Sequence, residues 1–226
     1  MYEAVVFDMD GVLLDSEKIY RIYEKKAAEH FGLPTDHIDD FCCMIAGGTK
    51  ATNAKRFKEF FADSWADDPG KEINYLDYRD IVSAGVEKHG EENGYELKPG
   101  VKELFDFLKE RGVKIALATS TERARAEKFL CPHGLLPYFD AMVFGNMIPA
   151  ERGKPNPDIY LKACEELGVA PEKTIGVEDS VNGTISSYDA GLHTVMVIDL
   201  IQPNEVVREH THEIFDVITE IESLFE

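Results

Sequence analysis

Long apolar runs are missing from this 226-residue chain, and no stretch approaches the ~18 apolar residues of a membrane-spanning helix. Its first residues, MYEAVVFD, hold no basic segment ahead of a long apolar core, so no signal peptide is expected. Cysteine is also scarce. Cys42, Cys43, Cys131 and Cys164 form no CxxC pair and no regular spacing, which argues for reduced thiols in packing positions against a disulfide framework or a zinc site. Basic side chains are the third shortage: 24 Lys and Arg stand against 43 Asp and Glu, a formal charge of −19. A field of that sign repels polyanions and argues against nucleic acid as a partner. The expectation is a soluble, cytoplasmic protein, monomeric and without a membrane partner. Any anionic substrate must then be held by a local positive cluster.

Apolar residues make up 44% of the chain, enough for a core, and the length suits one large domain or a core with a smaller insert. From residue 93 onward, strand and helix patterns alternate. Val101, Leu104, Phe105 and Leu108 recur at helical spacing, and VKIALAT (113–119) is an apolar run of strand length. TERARAEKFL reads as helix, FDAMVFG as strand, and NPDIYLKACEEL as a helix with Asn156 as N-cap and Pro157 at the first helical position. KTIGVED is then a strand, SVNGTISSYDAG a helix closed by Gly191, and HTVMVID a strand. Strands without polar alternation, interleaved with helices, predict an α/β fold: a Rossmann-like parallel sheet covered on both faces. Residues between Leu14 and Val113 contain no convincing strand, and Ile19, Ile22, Tyr23 and Ala27, ATNAKRFKEFF and the stretch from Lys71 to His89 read as helices. The expected organisation is a catalytic core of residues 1–15 and 98–226 and an inserted helical cap domain of residues 16–97.

The chemistry-bearing residues fall just past predicted strand ends. Asp8 and Asp10 follow the first strand, Thr119 and Ser120 the second, Lys154 lies in the loop after FDAMVFG, and Glu178 and Asp179 follow TIGV. Parallel sheets gather such ends along one edge, where open α/β folds bind ligands. Singly, each has a plain structural explanation as a cap, a turn residue or a solvated lysine. Together they match what a phosphate monoester requires, because its anionic oxygens repel a nucleophile until their charge is neutralised. Asp8 and Asp179 are hard oxygen ligands of the kind Mg²⁺ takes. Lys154 and the Thr119 hydroxyl can hold phosphoryl oxygens, Asp8 can attack phosphorus, and Asp10 can carry the proton.

DMDGVLLDS, the strand-terminal ATS, GKPNPDIY and GVEDS occur in that order over nearly the whole chain. They resemble the four signature motifs of the haloacid dehalogenase superfamily, and the first and third are especially similar to its beta-phosphoglucomutase-like branch, which includes sugar phosphatases. The resemblance implies a phosphoric monoester hydrolase with Asp8 as nucleophile, Asp10 as general acid and base, and Thr119 and Lys154 as phosphate holders. It implies magnesium held by Asp8, the backbone carbonyl of Asp10 and Asp179, with Glu178 adjacent. The helical insert resembles the family's cap, whose corresponding loop faces the active site and selects the substrate. Here that loop is AGGTK (46–50), making Thr49 and Lys50, with Ser120, candidate substrate-binding residues.

The expected function is therefore Mg²⁺-dependent hydrolysis of small phosphorylated metabolites, sugar phosphates first among them. The alternatives are a beta-phosphoglucomutase-type phosphosugar mutase and a non-catalytic binding protein on the same fold. Where mutases of this branch carry a cap-loop arginine and a histidine on the first cap helix, this chain places Lys50 and Tyr20. Lysine lacks the planar fork that grips a second phosphate, and tyrosine is no near-neutral proton carrier. GNMIPAERGK is not a P-loop, since its glycines are eight apart and Pro155 replaces Ser or Thr. HTH (210–212) reads as an exposed turn, and Trp65 as a packing residue of the insert.

Overall fold

The computed structural model describes residues 2–46, 48, 50–66 and 68–226. Among them the chain builds one parallel sheet from β1 (Ala4–Phe7), β2 (Lys114–Thr119), β3 (Ala141–Phe144), β4 (Thr174–Glu178), β5 (His193–Val197) and β6 (Glu213–Phe215), in the order β3-β2-β1-β4-β5-β6. The chain runs outward from β1 in both directions, so the crevice beside β1 and β4 is the topological switch point at which such folds bind ligands. In register, Phe7 lies opposite Leu117 on one side and Val177 on the other. The residues that follow it therefore reach the carboxyl edge level with the ends of β2 and β4.

Strand periodicity divides the core. Val5, Phe7, Ile115, Leu117, Ile175 and Val177 share a core with Val101, Leu104, Phe105 and Leu108 of α5 (Val101–Glu110). Ala4, Val6, Ala116, Ala118, Ala141 and Val143 point the other way, where mostly small side chains admit α7 (Asp158–Leu167) through Ile159, Tyr160, Ala163 and Cys164. This doubly covered sheet bears out the predicted α/β class, and α6 (Arg123–Leu130), α8 (Val181–Asp189) and the short α9 (Glu205–Glu209) complete the alternation.

Between β1 and β2 lie α1 (Glu17–His30), α2 (Ile38–Ile45), α3 (Lys50–Phe60) and α4 (Tyr75–Asn93), and no strand occurs there among the described residues. Their packing is aromatic. Phe57 sits 4.7 Å from Tyr78 and 5.9 Å from Phe41 between ring centroids, and Trp65 is buried against Phe57 at 6.0 Å. α1 and α4 approach closely because Gly85 has no side chain: a Cβ there would lie 2.0 Å from the Tyr23 ring. The two passages into this helical segment run side by side, Asp15 donating to the Glu96 carbonyl and Lys98 to that of Leu13, each at 2.9 Å.

One local expectation is corrected, and two details are added to the reading. Asn156 does not cap α7, which starts after Pro157; its amide instead donates to the carbonyls of Gly153 (3.0 Å) and Glu151 (3.2 Å), tying the preceding loop to itself. The helix at 38–45 and the three-residue strand β6 were not read from the sequence. At 210–212, His212 is exposed, yet its Nδ1 accepts from Thr194 N at 3.0 Å and its ring packs 4.5 Å from His193. That turn is tied to the sheet.

Candidate active site

Asp8 continues the alternation of β1 past its last paired residue, with its N–H on the Val177 carbonyl at 3.0 Å and its side chain 8% exposed. Lys154 reaches the same point from the loop before α7. It is 1% exposed, and its ammonium donates to Asp8 Oδ1 at 2.6 Å, Glu178 Oε1 at 2.5 Å and the Ala118 carbonyl at 3.1 Å. Three acceptors match its three donors, the condition under which a buried ammonium stays charged. Burial opposes that charge, but Asp8 and Glu178 outweigh it and raise the lysine's pKa above its ordinary value.

Glu178 is held from four directions. Oε1 also accepts from Tyr160 Oη at 2.8 Å, and Oε2 accepts from Ser180 Oγ at 3.1 Å and Asp179 N at 3.3 Å. Ser180 caps α8 by accepting from Gly183 N. A Cβ on Gly183 would lie 1.8 Å from the Glu178 carboxyl carbon, so only glycine lets the first turn of α8 close onto that carboxylate. Gly11 does the same for Asp179: its φ is +79° and a Cβ would stand 2.1 Å from Asp179 Oδ2.

Asp10 is positioned by two hydroxyls, Ser16 Oγ donating to Oδ1 at 2.6 Å and Thr121 Oγ1 to Oδ2 at 3.1 Å. Thr119, buried at the end of β2, accepts from Thr121 N at 3.1 Å. The loop after β2 thus joins both ends of the constellation.

All of this opens into a cavity of about 790 Å³, lined on the sheet side by Asp8, Asp10, Thr119, Ser120, Lys154 and Asp179. Glu178 lies beneath it, behind Lys154 and Tyr160. The helical segment forms the opposite wall. Lys50, the first residue of α3, is exposed and borders the cavity, whereas Thr49 lies outside the described residues. Sequence reasoning missed several wall residues. Glu17, Glu24, Asn53, Arg79 and Arg125 all line it. Arg125 donates to Tyr20 Oη at 3.0 Å, joining α6 to α1 across the cavity, and Arg79 pairs with Glu24 at 2.8 Å.

The electrostatics favour a bound cation. Asp8 is pushed up to about 7, by burial first and further by Glu178 and Asp10, with Lys154 opposing. Glu17 is pushed up to about 8 by burial and then by Asp10 and Asp199, and Asp179 is raised by burial and by Glu17, Glu178 and Asp8. Carboxylate oxygens of Asp8, Glu178 and Asp179 lie within 4.8 Å of one another. Hard oxygen donors crowded to the point of holding protons fit a divalent ion such as Mg²⁺.

Comparison with known proteins agrees with the geometry. The haloacid dehalogenase-like hydrolase family matches residues 2–191. A phosphorylated carbohydrates phosphatase from Thermotoga maritima is 31% identical over 97% of this chain and 99% of its own length. Hexitol phosphatase B from Escherichia coli is 30% identical over 86% of this chain and 82% of its own. The crystal structure of beta-phosphoglucomutase from Clostridium difficile superposes with a TM-score of 0.75 at 22% identity, covering 99% of this chain and 96% of that one; it shows the shared fold. Among the described residues no helix is long and apolar enough to cross a membrane. From the order of its motifs to its strand topology, this chain belongs to the haloacid dehalogenase-like hydrolase family.

Proposed function

We propose that this chain is a Mg²⁺-dependent phosphatase of small phosphorylated sugars and related metabolites, acting through a phospho-aspartate on Asp8. The observation that carries the reading is the buried Lys154, which ties Asp8 to Glu178 at the cavity floor while Asp10 is held apart by Ser16 and Thr121. Two neighbouring carboxylates thereby receive different environments, which separates their roles.

Asp8 attacks phosphorus and the alcohol leaves. Asp10 gives that oxygen its proton, then takes one from the water that cleaves the acyl phosphate. Its hydroxyl partners aim its carboxyl group, and Lys154 and Thr119 hold phosphoryl oxygens in line with Asp8. Asp8, Asp179 and the Asp10 carbonyl would hold the metal. Glu178, already engaged by four donors, supports Lys154 and stands adjacent. When bound, the ion supplies positive charge against the phosphoryl oxygens and the crowded carboxylates. The helices of residues 16–97 serve as a cap that closes the cavity against water, with Lys50, Thr49 and Ser120 at the substrate.

Hydrolysis is preferred to the mutase alternative because of Tyr20. Burial raises its hydroxyl pKa further above 10, and Arg125 occupies its oxygen, so it does not serve as a proton carrier for a turning bisphosphate. The test is phosphate release from a panel of phosphorylated sugars and polyols. Release is expected with Mg²⁺ and lost with EDTA. Full turnover in metal-free buffer contradicts the metal assignment, and bisphosphate-dependent isomerisation without free phosphate contradicts hydrolysis.

A further inference from the structure

One buried side chain of the core, so far without a role, is spent entirely on the helical insert. The last carbonyls of a helix find no partner within it and must be met from outside. At the end of α2 all of the donors are side chains: Met44 O accepts from Arg56 Nη1 at 2.7 Å, Ile45 O from Asn53 Nδ2 at 2.9 Å and Ala46 O from Asn182 Nδ2 at 2.5 Å. Asn53 and Arg56 belong to α3, just beyond this loop in the chain, whereas Asn182 stands in the first turn of α8 on the core. Among the described residues, Asn182 makes the core's one hydrogen bond to residues 44–50. Its Oδ1 accepts from Arg56 Nη2 at 3.2 Å, so both ends of an amide that is 3% exposed are engaged by the insert.

We propose that Asn182 is a positioning residue, which sets the register of residues 46–50, and with them Lys50, against the carboxylate floor. The proposal rests on the phosphatase reading for the chemistry at that floor. Asn182 follows Asp179 by three residues, and the turn that carries it is fixed to the floor. Ser180 Oγ donates to Glu178 Oε2 at 3.1 Å and accepts from Gly183 N at 3.1 Å, and the missing Cβ of Gly183 lets the turn lie against the Glu178 carboxylate. A shift of Glu178 or Asp179 is therefore carried through this turn to Ala46, four residues before Lys50. Contiguous hydrogen bonds between rigid elements are the physical route for such coupling. The rest of the insert is fastened elsewhere. Arg125 donates to Tyr20 Oη at 3.0 Å, and Arg21 Nη2 to the Leu200 carbonyl at 3.3 Å, both holding α1 to the core. Removing the Asn182 amide thus frees the loop and leaves α1 in place. Groups that meet one substrate from two bodies need such a register, because a small misplacement far from the chemistry is costly in rate.

The test compares glucose 6-phosphate with acetyl phosphate, which has no sugar for the loop to meet, using the Mg²⁺-loaded full chain. Asn182→Ala should lower kcat/KM for glucose 6-phosphate by about 10–100-fold, chiefly through KM, and that for acetyl phosphate far less. Arg56→Met guards against misfolding of α8, because Arg56 borders a separate groove with Cys43 and Asn204. It removes the bonds to Met44 and Asn182 from the insert side and should give the same split between the substrates. Hydrogen exchange read by mass spectrometry measures the register without turnover. In ligand-free Asn182→Ala, the peptide spanning 44–50 should exchange about 2–10-fold faster than in wild type, the net worth of one hydrogen bond, while peptides of β1 and β4 stay unchanged. No phosphate release from either substrate by wild type, with faster exchange at 44–50 in the variant, removes the phosphatase reading and keeps the register. Equal losses on both substrates, with exchange raised in β4 as well, overturn the proposal, because Asn182 would then serve only to hold α8 together. Wild-type exchange at 44–50 in Asn182→Ala overturns it too, as does a wild-type ratio between the two substrates in both variants.

Discussion

Lys154→Met is the sharpest probe of the cavity floor. The ammonium is 1% exposed and stands between Asp8 and Glu178 at 2.6 and 2.5 Å. Methionine fills most of the lysine's volume and leaves two buried carboxylates facing each other. Breaking a buried pair by removing one partner costs about 3–5 kcal/mol, because the remaining charge is uncompensated. At this chain length that corresponds to a fall of about 6–20 °C in Tm, at ~2–4 °C per kcal/mol. A proton can partly replace the lysine. Asp8 already titrates near 7 with the ammonium present, and without it the carboxyl group holds its proton more tightly. The penalty in EDTA-treated protein should therefore be smaller near pH 5.5 than near pH 7.5. Urea unfolding at both values, followed by circular dichroism, measures the difference. A variant with wild-type midpoints at both pH values would refute the reasoning, since it would mean that the lysine neutralises nothing.

Metal-free wild-type protein should lose stability as pH rises. The folded-state pKa of Asp8 (about 7) and of Glu17 (about 8) exceed their ordinary values of 3.8 and 4.5, so the stability they contribute is fully present below the ordinary values and lost as pH rises through 7 and 8. Asp8 alone accounts for about 2 kcal/mol between about pH 5.5 and 7, at 1.36 kcal/mol per unit, and saturating Mg²⁺ should flatten the curve; a metal-free curve rising over that range contradicts the assignment. Asp10→Asn should lower kcat by about 10²–10⁴-fold, the usual worth of general acid–base catalysis, while phosphate analogues still bind; turnover within a few-fold of wild type removes Asp10 from proton transfer. Lys50→Ala should alter the ranking of substrates more than the dependence on Mg²⁺, as read from kcat/KM across the panel, and an unchanged ranking returns Lys50 to the solvent.

How much could be read in advance followed from the range of the interactions. Strand ends are local signals. AVVF followed by two aspartates, KIALAT and TIGVE each end on polar residues, and parallel pairing is enough to bring Asp8, Thr119, Glu178 and Asp179 to one edge. Lys154 was legible from the loop that follows FDAMVFG and from its motif, but its three partners were not, because they come from the ends of β1, β2 and β4. The opposite wall was not legible. Glu24 and Arg79 are 55 positions apart on separate helices, and their pairing depends on how α1 meets α4 at Gly85, which no local pattern encodes. Arg125 and Tyr20 are 105 apart and meet across the cavity. The α2 helix escaped because it is short and its N-cap position, His37, makes no side-chain capping bond. Asn156 misled for the opposite reason: a good capping residue found better partners in its own loop.

The central claim is covalent catalysis by Asp8, and trapping the intermediate tests it most directly. Enzyme turning over a phosphorylated sugar with Mg²⁺ is quenched in acid and reduced with borohydride, which converts an acyl phosphate of aspartate to homoserine, and the peptide containing residues 5–17 is sequenced by mass spectrometry. The account predicts homoserine at position 8, dependent on substrate and absent from Asp8→Asn. Sustained phosphate release with aspartate intact at position 8, or wild-type turnover by Asp8→Asn, would contradict it.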